Sequence, residues 1–302
     1  MNTPAGFEMK NGRMVNVQPL EAMFNSSFIV RAFHVVATAG MTMAFILAAI
    51  AAFKLLRNRH SEDRTYHKKA LKMTMIVGFL STILSMVAGD LSAKFLHKVQ
   101  PEKLAAYEWH YDTQSHANLV FFGVLNEKTH EVSGAIEIPG LLSFLADDSF
   151  KTKVKGLNDF PKNDLPPMIV HYFFDLMVSM GVFCFIISGL YMLILFFKKL
   201  RKYKTNKAML YAILLTGPAS LLAIEFGWFL TEMGRQPWII RGYMRVSQAA
   251  TQAGGITLVT ILFGILYLVL MVTAAYVLIR MYRNKPAYQD VDKVIEERGG
   301  TK

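Results

Sequence analysis

The sequence predicts an all-α integral membrane protein of five transmembrane helices with one long, ordered extracytoplasmic loop. Three observations predict it. The 302 residues are 53% hydrophobic and only 18% charged, a balance typical of bilayer proteins. Five segments hold the roughly 20 apolar residues that cross a bilayer as helix. The net charge of +11 is concentrated in short connections beside those segments, where it marks orientation rather than a nucleic-acid partner. The single cysteine, Cys184, lies in an apolar run, which excludes a disulfide framework or thiolate metal site within one chain. The first 25 residues contain no apolar core, so no cleavable signal peptide is expected.

The first apolar run, Phe28–Leu56, leads into a connection, Lys54 to Lys72, holding seven Lys/Arg. The second, Leu71–Gly89, ends at Asp90, read as its cap. A loop of about 78 residues follows, mixed in charge, with one apolar patch, "GAIEIPGLLSFLA". Loops this long carry function or are disordered, and the aromatics and amphipathic pieces here predict an ordered cap. The third run, Met168–Phe197, ends in "KKLRKYKTNK", six cations in ten residues. The fourth, Ala208–Thr231, runs into "GRQPW", and the fifth, Ala253–Ile279, into a tail opening with Arg280, Arg283 and Lys285. The positive-inside rule places the three basic stretches in the cytoplasm, and the N-terminus, the long loop and the GRQPW connection outside. The chain thus divides into 1–89 (outer segment and two helices), 90–167 (outer loop), 168–283 (three helices) and 284–302 (cytoplasmic tail). There is no internal repeat or low-complexity tract.

Ionisable groups at membrane depth carry the functional signal. His34 lies about two turns into the first run and Met177 about nine residues into the third, roughly 9–14 Å below the outer surface in both cases. Neutral imidazole and thioether are the axial pair that raises the potential of an electron-transfer haem. Alone, the histidine reads as a packed polar residue, and Met177 as core filler among 18 methionines. Glu225 and Glu232 are two helical turns apart, on one face, with Trp228 and Phe229 between them. Gly227 and Gly234 permit close approach by a helix or a flat ligand. Either Glu232 and Arg235 form an ion pair closing a helix end, or the carboxylate serves a metal or proton path while the arginine neutralises an anion such as a haem propionate. Asp175 and His171, one turn apart, add polar groups at the outer boundary.

In the loop, "QPEKLAAYEWHYDTQSH" reads as a short amphipathic helix. Lys103 and Glu108 need not face each other, so an ordinary solvated pair is one reading. The other is a carboxylate among aromatics at the membrane surface, suited to deprotonating a lipid-borne hydroxyl such as a quinol. Tyr107, Trp109 and Tyr111 suit the interface in either case.

These stretches resemble the larger, haem-bearing subunit of the cytochrome bd quinol oxidases. "EFGWFLTEMGRQPW" looks like its signature. "KLAAYEWHYDTQS", "FFGVL" and "GAIEIP" resemble its quinol-binding loop, and "RAFHVVATAG" and "FDLMVSMG" its two low-spin haem helices. The resemblance runs from about residue 3 to residue 283. It implies that His34 and Met177 ligate a low-spin haem b and that Glu232 ligates the iron of one of the two high-spin haems, a haem b and a haem d or third haem b. It places Arg235 and Trp228 close by, gives Glu225 a part in the catalytic region, and makes Lys103 and Glu108 the quinol-site residues. It further implies membrane quinol and oxygen as substrates, a smaller second subunit as partner, and a prokaryotic cell membrane as location.

Asp175 departs from family members that carry arginine there, and the loop looks like the short type. Members also carry about four helices ahead of "NTPAGFEMKNGRMVNVQP", including a haem-ligating histidine. The chain is therefore read as the C-terminal portion, whether a fragment, a truncated gene or part of a split subunit completed by a separate chain. The high-spin pair would need those helices. The rival readings are a partner-dependent or inactive remnant keeping only the low-spin haem, and a non-enzymatic carrier using Glu225, Glu232 and Arg235 for translocation.

Overall fold

A computed structural model describes residues 3–57, 61–251 and 253–284; the predicted tail beyond 284, Lys285 included, lies outside them. Among the described residues, five helices are long and apolar enough to cross a membrane. They span Phe28–Arg57, Ser61–Val99, Val170–Phe196, Lys207–Met233 and Ile256–Asn284. The fold class is as predicted.

The second helix corrects one expectation. It runs to Val99, well into the predicted loop, and Asp90 does not cap it. Asp90 lies within the helix, 2.7 Å from Lys94 one turn on, and Lys94 also reaches Asp148 at 2.7 Å. An i,i+4 ion pair supports continued helix where hydropathy alone shows only the end of an apolar run.

The first helix packs on the second and the fourth, and the third on the fourth and the second, so the first and third stand diagonally. Small residues allow this closeness. A Cβ on Gly217 would come within 2.7 Å of the Ala49 Cβ, so the first and fourth helices meet there nearly backbone to backbone. The main core, formed by Met41, Phe45, Ala48, Leu71, Met75, Cys184, Tyr191 and Ile213, fills the half of the bundle remote from the long loop. The fifth helix is exposed along Ile256–Met281.

The long loop is ordered, as expected, but mixed in structure. It holds a helix, Pro101–Tyr107, and two antiparallel strand pairs: Leu119–Phe121 with Ile136–Ile138, and Val124–Asn126 with Glu131–Ser133. A second helix, Leu141–Asp147, follows, and Asp147 pairs with Lys98 at 3.1 Å. The apolar patch is thus a strand and a helix clamped to the end of the second span. The loop helix is shorter than predicted and is not amphipathic: Lys103 through Tyr107 are all buried.

Candidate functional site

The candidate site occupies the loop-side half of the bundle. Residues 28–36, 89–99, 176–183 and 224–229 of the four packed helices include no buried residue. Buried groups lie on both sides of this band, with Met41, Phe45 and Cys184 below and His171, Tyr107 and Leu230 above. The band's side chains are partly or fully exposed, and Leu96, Met177, Met180 and Phe183 among them pack against the buried layers. His34 and Met177 both lie in it, on the diagonal helices. The His34 Cε1 is 4.0 Å from where a Gly89 Cβ would stand, and Met177 Sδ is 3.2 Å from a Cβ built on Gly227. His34 Nδ1 is buried with no hydrogen-bond partner. An imidazole nitrogen without a partner and a thioether, each packed against a glycine, are donor types that suit a haem iron.

The fourth helix presents Glu225, Trp228 and Glu232 on its exposed side, with Trp228 57% exposed. They share one face, as the spacing predicts. Arg235 donates to Glu232, so the ion pair weighed from the sequence is formed. Arg235 Nε nevertheless remains buried without a partner, which leaves donor capacity for an anion. Among the described residues, no cluster of three or more His, Cys, Asp or Glu could hold a bare metal ion. A haem iron needs only one or two side chains, and a single carboxylate can serve.

The loop helix brings Lys103 to the same end of the bundle. Lys103 is 5% exposed and its Nζ lies 5.6 Å from the centre of the Tyr107 ring. Burial first, then the neighbouring Arg31 and Arg235 cations, push its amine down to about 7. With Arg235, Arg241, Gly234, Gln100 and Trp238 it lines an open cleft. Arg241 braces the rim, 2.7 Å from both the Val99 carbonyl and Glu102. The Gln236–Pro237 bond of the GRQPW turn is cis.

Glu108 points elsewhere. It caps the loop helix, is 3% exposed, and its carboxyl is pushed up to about 8 by burial and then by the Asp175 charge. The solvated-pair reading of Lys103 and Glu108 therefore fails on burial. Lys103 answers to Arg31 and Arg235, and Glu108 to Asp175, so the two serve different sides of the loop helix. Trp109 turns the chain just after Glu108 in a left-handed conformation, φ 46°, which is unfavourable for a bulky residue. It is held by stacking on His171 at 3.9 Å and by an Nε1–H bond to the Met168 carbonyl at 2.8 Å.

Sequence reasoning missed Arg31 and undervalued Asp175 and His171. Arg31 is a cation at the end of the first span opposite the basic connections, which was the available signal. The His171–Asp175 spacing was visible, but both are 0% exposed only because the loop folds over them.

Residues 1–286 match the family model of cytochrome bd terminal oxidase subunit I. The chain is 40% identical over 292 residues to the putative cytochrome bd menaquinol oxidase subunit I of Bacillus subtilis (strain 168), covering 96% of this chain and 65% of that protein. It is 30% identical over 297 residues to the cytochrome bd ubiquinol oxidase subunit 1 of the same strain, covering 93% and 62%. The structure of bd oxidase from Geobacillus thermodenitrificans aligns with TM-score 0.85 and 47% identity, over 94% of this chain and 65% of that one. The chain thus spans just under two thirds of the length of these relatives.

Proposed function

Because the chain belongs to the cytochrome bd terminal oxidase subunit I family, we propose that it works in a membrane quinol oxidase that passes electrons from quinol to oxygen. The single observation that carries this reading is the buried, partnerless Nδ1 of His34 on the first helix, in the same band of partly exposed residues as Met177 on the third. These two side chains would hold a low-spin haem b, with Gly89 and Gly227 leaving room for the side chains themselves. Glu232 would hold a high-spin haem, with Arg235 and Trp228 beside it and Glu225 as a proton-handling carboxylate on the same helix face. The haems, a b-type low-spin centre and a high-spin pair of b and d or b and b type, supply the electron transfer and the oxygen chemistry when bound.

The protein's own part is binding and proton handling. Glu108, buried yet near neutral in its titration, is placed to accept a hydroxyl proton at Oε2, since a useful base titrates near the working pH. Lys103 and Arg235 form the cationic cleft that orients an oxygen-bearing head group or an anionic haem edge. The family's smaller second subunit is the expected partner, and the exposed apolar faces of the first, second and fifth spans leave surface for it. By charge distribution the long loop faces outward and the basic connections face the cytoplasm.

The test is a reduced-minus-oxidised visible spectrum of the oxidase purified from membranes, followed by oxygen uptake with added quinol. Haem bands with quinol-dependent uptake are expected. A preparation without haem bands would overturn the reading and return the Glu225–Glu232–Arg235 strip to a carrier.

A further inference from the structure

The hairpin that follows the GRQPW turn, Trp238–Ile240 paired with Met244–Arg245, carries two arginines that reach the two ends of the long loop. Arg241 lies in its turn, and the break between the second span and the loop helix gives it partners. The span ends at Val99 and the loop helix begins at Pro101, a residue with no N–H to donate back into the span. The last carbonyls of a helix lack partners within it, and that end attracts cations. Arg241 Nη1 donates to the Val99 carbonyl at 2.7 Å.

The same guanidinium holds the loop helix. Arg241 Nη2 lies 2.7 and 2.9 Å from the two carboxylate oxygens of Glu102, an acid in the first turn of that helix. One planar group thus joins the end of the span to the start of the helix. The Glu102 side chain is only 16% exposed, so its charge depends on this partner more than a surface carboxylate would. Lys103 follows directly. The opposite wall of the cleft is fastened in the same manner. Arg245 lies over the Trp238 ring at 4.7 Å, donates to the Asn163 carbonyl at 3.0 Å and pairs with Asp164 at 2.5 Å, and both Trp238 and Asp164 line the cleft.

We propose that Arg241 is a positioning residue of the quinol cleft: by holding Glu102 and the Val99 carbonyl together it keeps the loop helix docked with Lys103 on the cleft wall. Without it, Glu102 is a half-buried carboxylate with no cation, and the loop helix must shift to release it to water, taking Lys103 with it. The inference rests on the reading above that the Lys103 cleft orients the quinol head group.

The experiment uses the oxidase assembled in its native membrane and follows oxygen uptake as a short-chain quinol is varied. Arg241→Gln should raise KM for quinol about tenfold, the scale of one charge-assisted hydrogen bond. The kcat per haem should change about twofold or less, with the haem spectrum unchanged. An ion pair that only stabilises the fold would lower the amount of assembled oxidase and leave KM alone. Charge reversal identifies the partner. Arg241→Glu and Glu102→Arg should each raise KM, and the two combined should return it to within about threefold of wild type. An unchanged KM in Arg241→Gln overturns the proposal, as does a reversed pair no better than the worse single variant. Should Arg241→Gln fail to assemble, Arg241→Lys carries the same test. It keeps the charge but loses the fork, so KM should rise about threefold, and an unchanged value counts against the proposal. Lys103→Met separates the two readings. If it leaves KM unchanged, the quinol site lies elsewhere and both fall. If it raises KM while the Arg241 variants do not, the cleft reading stands and this inference fails.

Discussion

Tyr107 donates its phenolic proton to the carbonyl oxygen of Leu230 at 3.2 Å, tying the loop helix to the end of the fourth span. This contact explains the first residue of the GRQPW motif. A Cβ on Gly234 would stand 2.5 Å from the Tyr107 hydroxyl. Gly234 is needed for space, since its φ of −68° suits any residue.

Gly234→Ala should therefore displace Tyr107 and loosen the loop, costing about 1–3 kcal/mol as overpacking does. Tyr107→Phe alone should cost about 1 kcal/mol for the lost hydrogen bond. The double variant should be only partly more stable than the sum of the two, because removing the hydroxyl relieves the shortest contact while the Leu230 carbonyl oxygen and the Tyr107 Cε1 stay 2.6 and 2.8 Å from the added Cβ. Thermal melting of the detergent-solubilised protein checks this, and strict additivity would show that the clash is relieved some other way.

His34→Ala and Met177→Ala should each remove the narrow low-spin b band from the spectrum, leaving helix content by circular dichroism within about 10% of wild type, because both side chains are only partly buried and the fully buried core residues stay in place. An intact band in both variants would remove the pair as ligands.

Stability should respond to pH through two buried groups of opposite sign. Glu108 titrates near 8 in the folded protein against an ordinary 4.5, so the folded state holds the extra proton between those values. Its contribution is lost as pH rises through that window, at about 1.4 kcal/mol per unit. Lys103 titrates near 7 against 10.5; there the unfolded chain holds the extra proton, and stability rises with pH. Melting temperature should fall with pH below neutrality in the wild type and stay flatter in Glu108→Gln. Lys103→Met should flatten the alkaline limb instead. Quinol oxidation should rise toward pH 8 as Glu108 ionises, and Glu108→Gln should erase that rise.

Glu232→Ala should abolish the high-spin haem signal in the assembled oxidase while sparing the low-spin band. Arg235→Gln should keep both signals and weaken the high-spin centre's retention by roughly tenfold, the scale of one charge-assisted hydrogen bond. Full retention of the high-spin signal in Glu232→Ala would leave the Glu232–Arg235 contact as an ion pair alone.

The sequence by itself determined the five spans and the alignment of Glu225, Trp228 and Glu232 on one helix face. Both follow from local periodicity and from the cost of placing polar groups in lipid, which any window of the chain reports. The second span's true end escaped hydropathy because Asp90 and Lys94 sustain the helix through an ion pair that only geometry reveals. Only the tertiary structure decided the burial of Lys103, the separation of Lys103 from Glu108, and the closure of His171 and Asp175 beneath Phe122. Those features arise where the long loop folds back on the third and fourth spans. Contacts such as Phe122 to Asp175 join residues 53 positions apart, and desolvation, which sets the chemistry of Glu108, depends on that folded surround rather than on neighbours in the chain.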